Sequence, residues 1–202
     1  MRTRLRTASF IIGTFVVLVG LHFPFIRLPY FWDEAGYYVP AAWDFYHHWL
    51  LIPESTLHTG HTPLVMVYLA MAWHVFGFSP LVTRVAMLLI ASGTVVATYT
   101  LARRVADREA AFWAAALLAF SPMFFAQSTV VYLDLPAALF TTLAVLALLD
   151  ERVWLFAATA SFAVLTKETA VVMQPVAHEE SISRTAGIRP RQSTIALKEI
   201  RA

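Results

Sequence analysis

Four short stretches carry the side chains that acid–base or anion chemistry would need, on an otherwise apolar chain of 202 residues. Trp32-Asp33-Glu34 puts two adjacent carboxylates straight after an apolar run. As a structural feature Asp33 would cap a helix starting near Ala35. As a functional one it is a carboxylate at the mouth of a membrane cavity, where partial desolvation raises its basicity. Thr59-Gly60-His61-Thr62-Pro63-Leu64 reads as a turn into a helix that Pro63 is suited to begin. It also places His61 where helix N–H groups and the dipole favour an anion such as phosphate, to whose oxygens an imidazole can donate. In Tyr132-Leu133-Asp134-Leu135-Pro136, an aspartate among apolar residues is costly at membrane depth and marks function by default. Asp134 would alternatively cap the helix that contains Pro136. Lys167-Glu168 lies within the apolar stretch from Val153 to Ala177; the two residues either pair at a helix end or present Lys167 to a phosphate.

The elements that must position these residues follow from composition. Hydrophobic residues make up 59% and charged residues 14%, against roughly 25% charged in average soluble domains. With a mean hydropathy of +0.64, the chain has too little polar surface for a soluble globule. Its net charge of +2 is too small and too scattered for nucleic acid. The absence of cysteine excludes a disulfide scaffold, a thiolate metal site and a cysteine nucleophile. An integral membrane protein is what remains.

Arg2, Arg4 and Arg6 precede an apolar run from Ala8 to about Leu28. The run is too long for a signal-peptide core and no small-residue cleavage site follows, so it reads as an uncleaved first helix with a cytoplasmic N-terminus. Further apolar runs cover Pro63–Gly77, Pro80–Ala102, Ala110–Ala126, Leu135–Leu149 and Val153–Ala177. If Pro63–Gly77 spanned, the loop with Arg103, Arg104 and Arg108 would lie outside, against the positive-inside tendency. Its fifteen residues also reach only ~22 Å as a helix, short of a hydrocarbon core of about 30 Å. The expectation is therefore an all-α polytopic bundle of about five spanning helices. Interfacial helices occupy the first external loop, one over Ala35–Leu50, rich in Tyr and Trp, and one from Pro63. This counting puts Asp33, His61 and Asp134 on one face of the membrane, with Lys167 beside them. Residues 1–177 form the membrane part. Residues 178–202, with no aromatic side chain and no spanning run, are expected to be a polar disordered tail, and the abrupt change suggests a truncated or frame-shifted product.

The ordered set resembles the N-terminal part of GT-C membrane glycosyltransferases. It consists of the first apolar helix, Asp33-Glu34, a His61-x-Pro63-Leu64 element, the Gly77 turn, Arg103-Arg104, Leu133-Asp134-Leu135-Pro136 and Leu165-Thr166-Lys167. The nearest subgroup is that of protein O-mannosyltransferases and bacterial aminoarabinose transferases, and the likeness covers about Ala8 to Gln174. The resemblance implies transfer of a sugar, usually with inversion, from a polyprenyl-phosphate donor to a lipid or protein acceptor on the external face of a bacterial-type plasma membrane. It implies Asp33 as catalytic base, Glu34 as an adjacent supporting carboxylate, and Asp134 in acceptor positioning or metal binding. His61 stands where many members have Lys before Pro; it and Lys167 are implied as contacts to the lipid phosphate. A histidine carries only part of a lysine's charge at neutral pH. A divalent cation is left open, since Asp33, Glu34, His61 and Asp134 offer oxygen and nitrogen ligands. Complete members have more than ten helices, so the chain alone is expected to have at most residual activity. Two other readings are a transporter segment whose intramembrane charges line a path, and a non-catalytic subunit whose Ala-rich helices serve assembly.

Overall fold

A computed structural model describes residues 2–57 and 60–173. Among them every regular element is helical and no strand occurs, as expected of an all-α protein. The first apolar run forms α1 (Arg2–His22). The aromatic segment expected over Ala35–Leu50 becomes a π-helical turn, Glu34–Tyr38, running into α2 (Val39–His48). Pro40 sits in the first turn of α2, where the π-helical turn gives way to α-helix. Trp49 closes α2 in a left-handed conformation, φ 58°. Next comes α3 (Leu64–Phe76), ended by Gly77 at φ 83°, a conformation that residues with a Cβ rarely adopt. Ser79 caps α4 (Pro80–Val105), its Oγ accepting the Val82 N–H at 3.2 Å. Asp107 caps α5 (Arg108–Ala119) through the Ala110 N–H at 2.8 Å.

Two expected spans are shorter than their apolar runs. Ala110–Ala126 is interrupted at Ser121-Pro122, and a separate α6 (Pro122–Gln127) begins there. Pro122 has no N–H to continue the ladder, and Ser121 Oγ accepts the Phe124 N–H at 3.3 Å, so the break is capped. After α7 (Asp134–Leu149), α8 covers Val153–Thr166 only. Lys167 is extended, φ −150°, and a 3-10 helix, Glu168–Met173, follows.

Within the unit ending at Ala170, α4 is the axis, packing against α1, α3, α5 and α7, while α7 packs on α8 and α2 on α3. One buried cluster joins Tyr38, Ala42, Leu69, Trp73, Met87 and Val131; another joins Leu18, Leu88, Ala91, Ala115, Phe124 and Leu135. Among the described residues one helix, Pro80–Val105, is long and apolar enough to cross a bilayer by itself. The length argument that sets α3 aside applies to its neighbours as well. With 16 and 14 residues, α7 and α8 reach only about 24 and 21 Å of helix. The second unit, Val171–Ala202, lies almost wholly outside the described residues, as does the expected tail 178–202.

Candidate functional site

The adjacent carboxylates of Asp33 and Glu34 part company. Asp33 is exposed and makes no cap bond, so it is not the helix cap that its position suggested. Glu34 is fully buried and holds Arg84 bidentately, Oε2 accepting from Nη1 and Oε1 from Nη2, each at 2.6 Å. Glu34 Oε1 also accepts the Phe31 N–H at 3.1 Å, and Oε2 the Val131 N–H at 2.9 Å. Arg84 completes the knot by donating to the carbonyls of Thr129 (2.8 Å) and Pro29 (3.1 Å), with its guanidinium 5.5 Å from the Tyr30 ring centre. This network explains why a loop at residue 33 meets one at residue 134. Glu34 is the clasp between them, and Arg84, in the second turn of α4, is the pin.

Asp134 opens α7 but caps nothing; its Oδ1 accepts from Lys167 Nζ at 2.6 Å. His61 Nδ1 lies 3.0 Å from Glu168 Oε2. Lys167 and Glu168 therefore do not pair with each other, because α8 has ended and the extended backbone at Lys167 sends successive side chains apart. The loop bearing His61 is fastened to the end of α8 by Thr62 Oγ1, which donates to the Val164 carbonyl at 3.0 Å. The His61 bond holds the Glu168 carboxyl below the usual range, with the nearby positive charge of Lys167 adding to it.

Tyr38 lies at the middle of this cluster. Its ring centre is 6.3 Å from that of His61 and 6.4 Å from that of Tyr132. Burial raises the Tyr38 phenol above its ordinary value of 10.0, and the charges of Asp33, Asp134 and Glu168 raise it further. Tyr132 is raised in the same way, by burial first and then by Asp33, Glu34 and Asp134. Both phenols thus stay protonated at neutral pH as O–H donors. Four of the expected site residues (Asp33, His61, Asp134 and Lys167) surround them. Glu34 supports the group from beneath instead of facing it.

The other ends of α4 and α7 are tied by an ion pair between Arg104 and Asp150. Arg84 and Arg104 are twenty residues apart on one helix, about 30 Å, close to a hydrocarbon thickness. Charged side chains therefore collect at two levels, with the Asp33–Asp134 cluster at one of them. Among the described residues no three His, Asp or Glu side chains are placed to hold a metal ion.

Arg84 and Tyr38 were not singled out from the sequence, and Tyr132 and Glu168 figured there only as neighbours of Asp134 and Lys167. Arg84 did leave a signal: it is the one charge between Pro80 and Ala102, in a run that otherwise reads as membrane span, where a lone charge needs a partner. Tyr38 gave none, being one of many interfacial aromatics.

Residues 60–178, more than half of the chain, match the family described as dolichyl-phosphate-mannose-protein mannosyltransferase. No curated protein and no solved structure matches the chain.

Proposed function

Because the chain belongs to the dolichyl-phosphate-mannose-protein mannosyltransferase family, whose members are integral membrane glycosyltransferases, we propose that it moves a sugar from a polyprenyl-phosphate donor to a hydroxyl acceptor. The observation that carries this reading is the convergence of Asp33, Asp134, Lys167 and His61 around Tyr38, from four separate segments. Topology supports it: the positive-inside counting puts this cluster at the external level, and Arg104–Asp150 at the cytoplasmic one. In this reading α1, the α5–α6 pair, α7 and α8 cross together with α4, the shorter helices reaching the interface through their flanking turns.

The reaction needs a base on one side of the sugar and anion contacts on the other. Asp33, exposed and making no cap bond, takes the proton of the acceptor hydroxyl as its oxygen attacks the anomeric carbon. The bond from that carbon to the phosphate oxygen breaks, and the electron pair leaves with the phosphate. Polyprenyl phosphate departs as an anion, so N–H and ammonium contacts from His61 and Lys167 serve in place of a strong general acid. Asp134, with the neutral phenols of Tyr38 and Tyr132, orients the acceptor. An apolar groove of about 330 Å³ is lined by Leu64, Tyr68, Ile90, Pro136, Leu139 and Phe162 among others; Leu64 and Pro136 follow His61 and Asp134 closely in the chain, and the groove suits the first prenyl units of a carrier.

The test is sugar transfer in membranes carrying the chain, with a polyprenyl-phosphate-linked donor. The expected outcome is residual transfer above empty membranes that Asp33→Asn brings down to their level, since loss of a general base costs about 10²-fold or more. Transfer unchanged in Asp33→Asn would remove the base assigned here.

A further inference from the structure

We propose that this site is latched by its own carboxylates: Asp134 and Glu168 occupy Lys167 and His61 at rest, and an incoming phosphate takes both cations by displacing both acids. The proposal rests on the reading of His61 and Lys167 as phosphate contacts, and concerns the regulation of that same site. It begins from a mismatch of charge. Three carboxylates, Asp33, Asp134 and Glu168, act on Tyr38, whereas the side chains that can offset them are Lys167 and, when protonated, His61. A phosphate meets a net acidic surface unless the cations are handed over to it.

The geometry permits that exchange. Lys167 is bonded to Asp134 at 2.6 Å and His61 to Glu168 at 3.0 Å, so each of the two already holds an acid. The cation side chains are 28% and 25% exposed and the carboxylates 52% and 50%. Every member is at least a quarter exposed, so a carboxylate that lets go does not become a buried charge. Pairs this exposed shift an equilibrium by no more than about fivefold, which two charge-assisted contacts to one phosphate group exceed. The contrast within the same molecule is Glu34–Arg84, 0% and 1% exposed, where departure of either partner would strand a buried charge.

The exchange has a consequence for order. Asp134 is tied up while the site is empty and becomes available beside Asp33 only once phosphate holds Lys167. Donor binding thereby supplies the second carboxylate that orients the acceptor, and departure of the product phosphate restores both pairs. Glu168 is then a positioning residue whose effect runs through His61.

The experiment uses the full chain in lipid nanodiscs and a short-chain polyprenyl monophosphate without sugar as the probe. Binding is titrated for wild type, Glu168→Gln, Asp134→Asn and Lys167→Met, with the matching prenyl alcohol as the uncharged control. Carbodiimide labelling of carboxylates, read by mass spectrometry, is run with and without the probe. The latch gives Glu168→Gln and Asp134→Asn about two- to fivefold tighter phosphate binding, a change that mere loss of structure would not produce. It also gives faster labelling of Asp134 and Glu168 in wild type when the phosphate is present. If Lys167→Met weakens binding while Glu168→Gln and Asp134→Asn leave it unchanged or weaker, the latch is overturned and the phosphate site survives. If Lys167→Met binds phosphate like wild type, the phosphate reading itself fails, and the latch with it.

Discussion

Removing the Glu34 carboxylate is the sharpest perturbation the structure offers. Glu34 and Arg84 are 0% and 1% exposed, and Glu34 accepts four hydrogen bonds: two from Arg84 and one each from the Phe31 and Val131 N–H groups. Glu34→Ala would leave the guanidinium buried without its counter-charge, which costs about 3–5 kcal/mol. The two backbone donors lose their acceptor as well, at about 1–3 kcal/mol each where water cannot reach them. The penalties overlap, because one cavity and one inflow of water relieve all of them, so the expected loss is about 4 kcal/mol. That is a large part of the roughly 5–15 kcal/mol by which folded proteins exceed their unfolded states. The neighbouring Asp33→Asn should change stability by no more than about 0.5 kcal/mol, since Asp33 is exposed and caps nothing. The double variant Glu34→Met with Arg84→Met should recover most of the loss, because apolar replacement of a whole buried pair is often neutral or better. The assay is unfolding in mixed micelles by increasing SDS, followed by the emission of the six tryptophans. A Glu34→Ala midpoint indistinguishable from that of Asp33→Asn would refute the account, because the clasp between the two aspartate loops would then carry no load.

Further outcomes follow from the same contacts. Cysteine pairs at 33 and 134 in this cysteine-free chain should cross-link through a short reagent, and the yield should fall in the Glu34→Ala background. Single cysteines at 33, 134 and 167 should react with an impermeant maleimide from the side opposite to one at 150; labelling of 134 and 150 from the same side would break the two-level arrangement. Asp44 is raised by burial but lowered more by the Ser55 and Glu54 N–H bonds, by the Ser55 side chain and by His48, for a net value below the ordinary 3.8. Its contribution is therefore complete above the unfolded value and lost as pH falls through the folded one. Hydrogen exchange at Glu54 and Ser55 should rise once pH drops below roughly 4, and in Asp44→Ala, which has no acceptor for either N–H, it should be high already at neutral pH. Ser79→Ala removes the cap of α4 and should cost about 1 kcal/mol.

Helix positions were readable because each rests on near neighbours in the chain. Ser79-Pro80, Asp107 and Gly77 start or stop helices within a turn of themselves, and the apolar runs between them have few other ways to satisfy their backbone in lipid. The errors are equally local in origin. Reading Ala110–Ala126 as one helix weighed apolarity and passed over Ser121-Pro122, and extending the last run to Ala177 passed over Lys167. Asp33 and Asp134 both sit where a cap is expected, yet neither accepts the cap bond. For Asp134 the cap position falls one residue earlier, at Leu133; Asp33 does hold the cap position of its turn, but with a helical backbone instead of the extended one that a capping side chain favours.

Composition, the arginine pattern and the order of motifs by themselves pointed to an all-helical membrane protein and gave the expectation that its acidic and basic candidates share one level. They also pointed to the family, because these properties are sums over neighbouring residues or a linear order along the chain. Which candidates touch, and with what partner, was decided only by the tertiary structure. The bond from Glu34 to Val131 spans 97 positions and that from His61 to Glu168 spans 107. No local propensity encodes such a pair, since its energy exists only once α4, α7 and α8 have packed and brought the ends together.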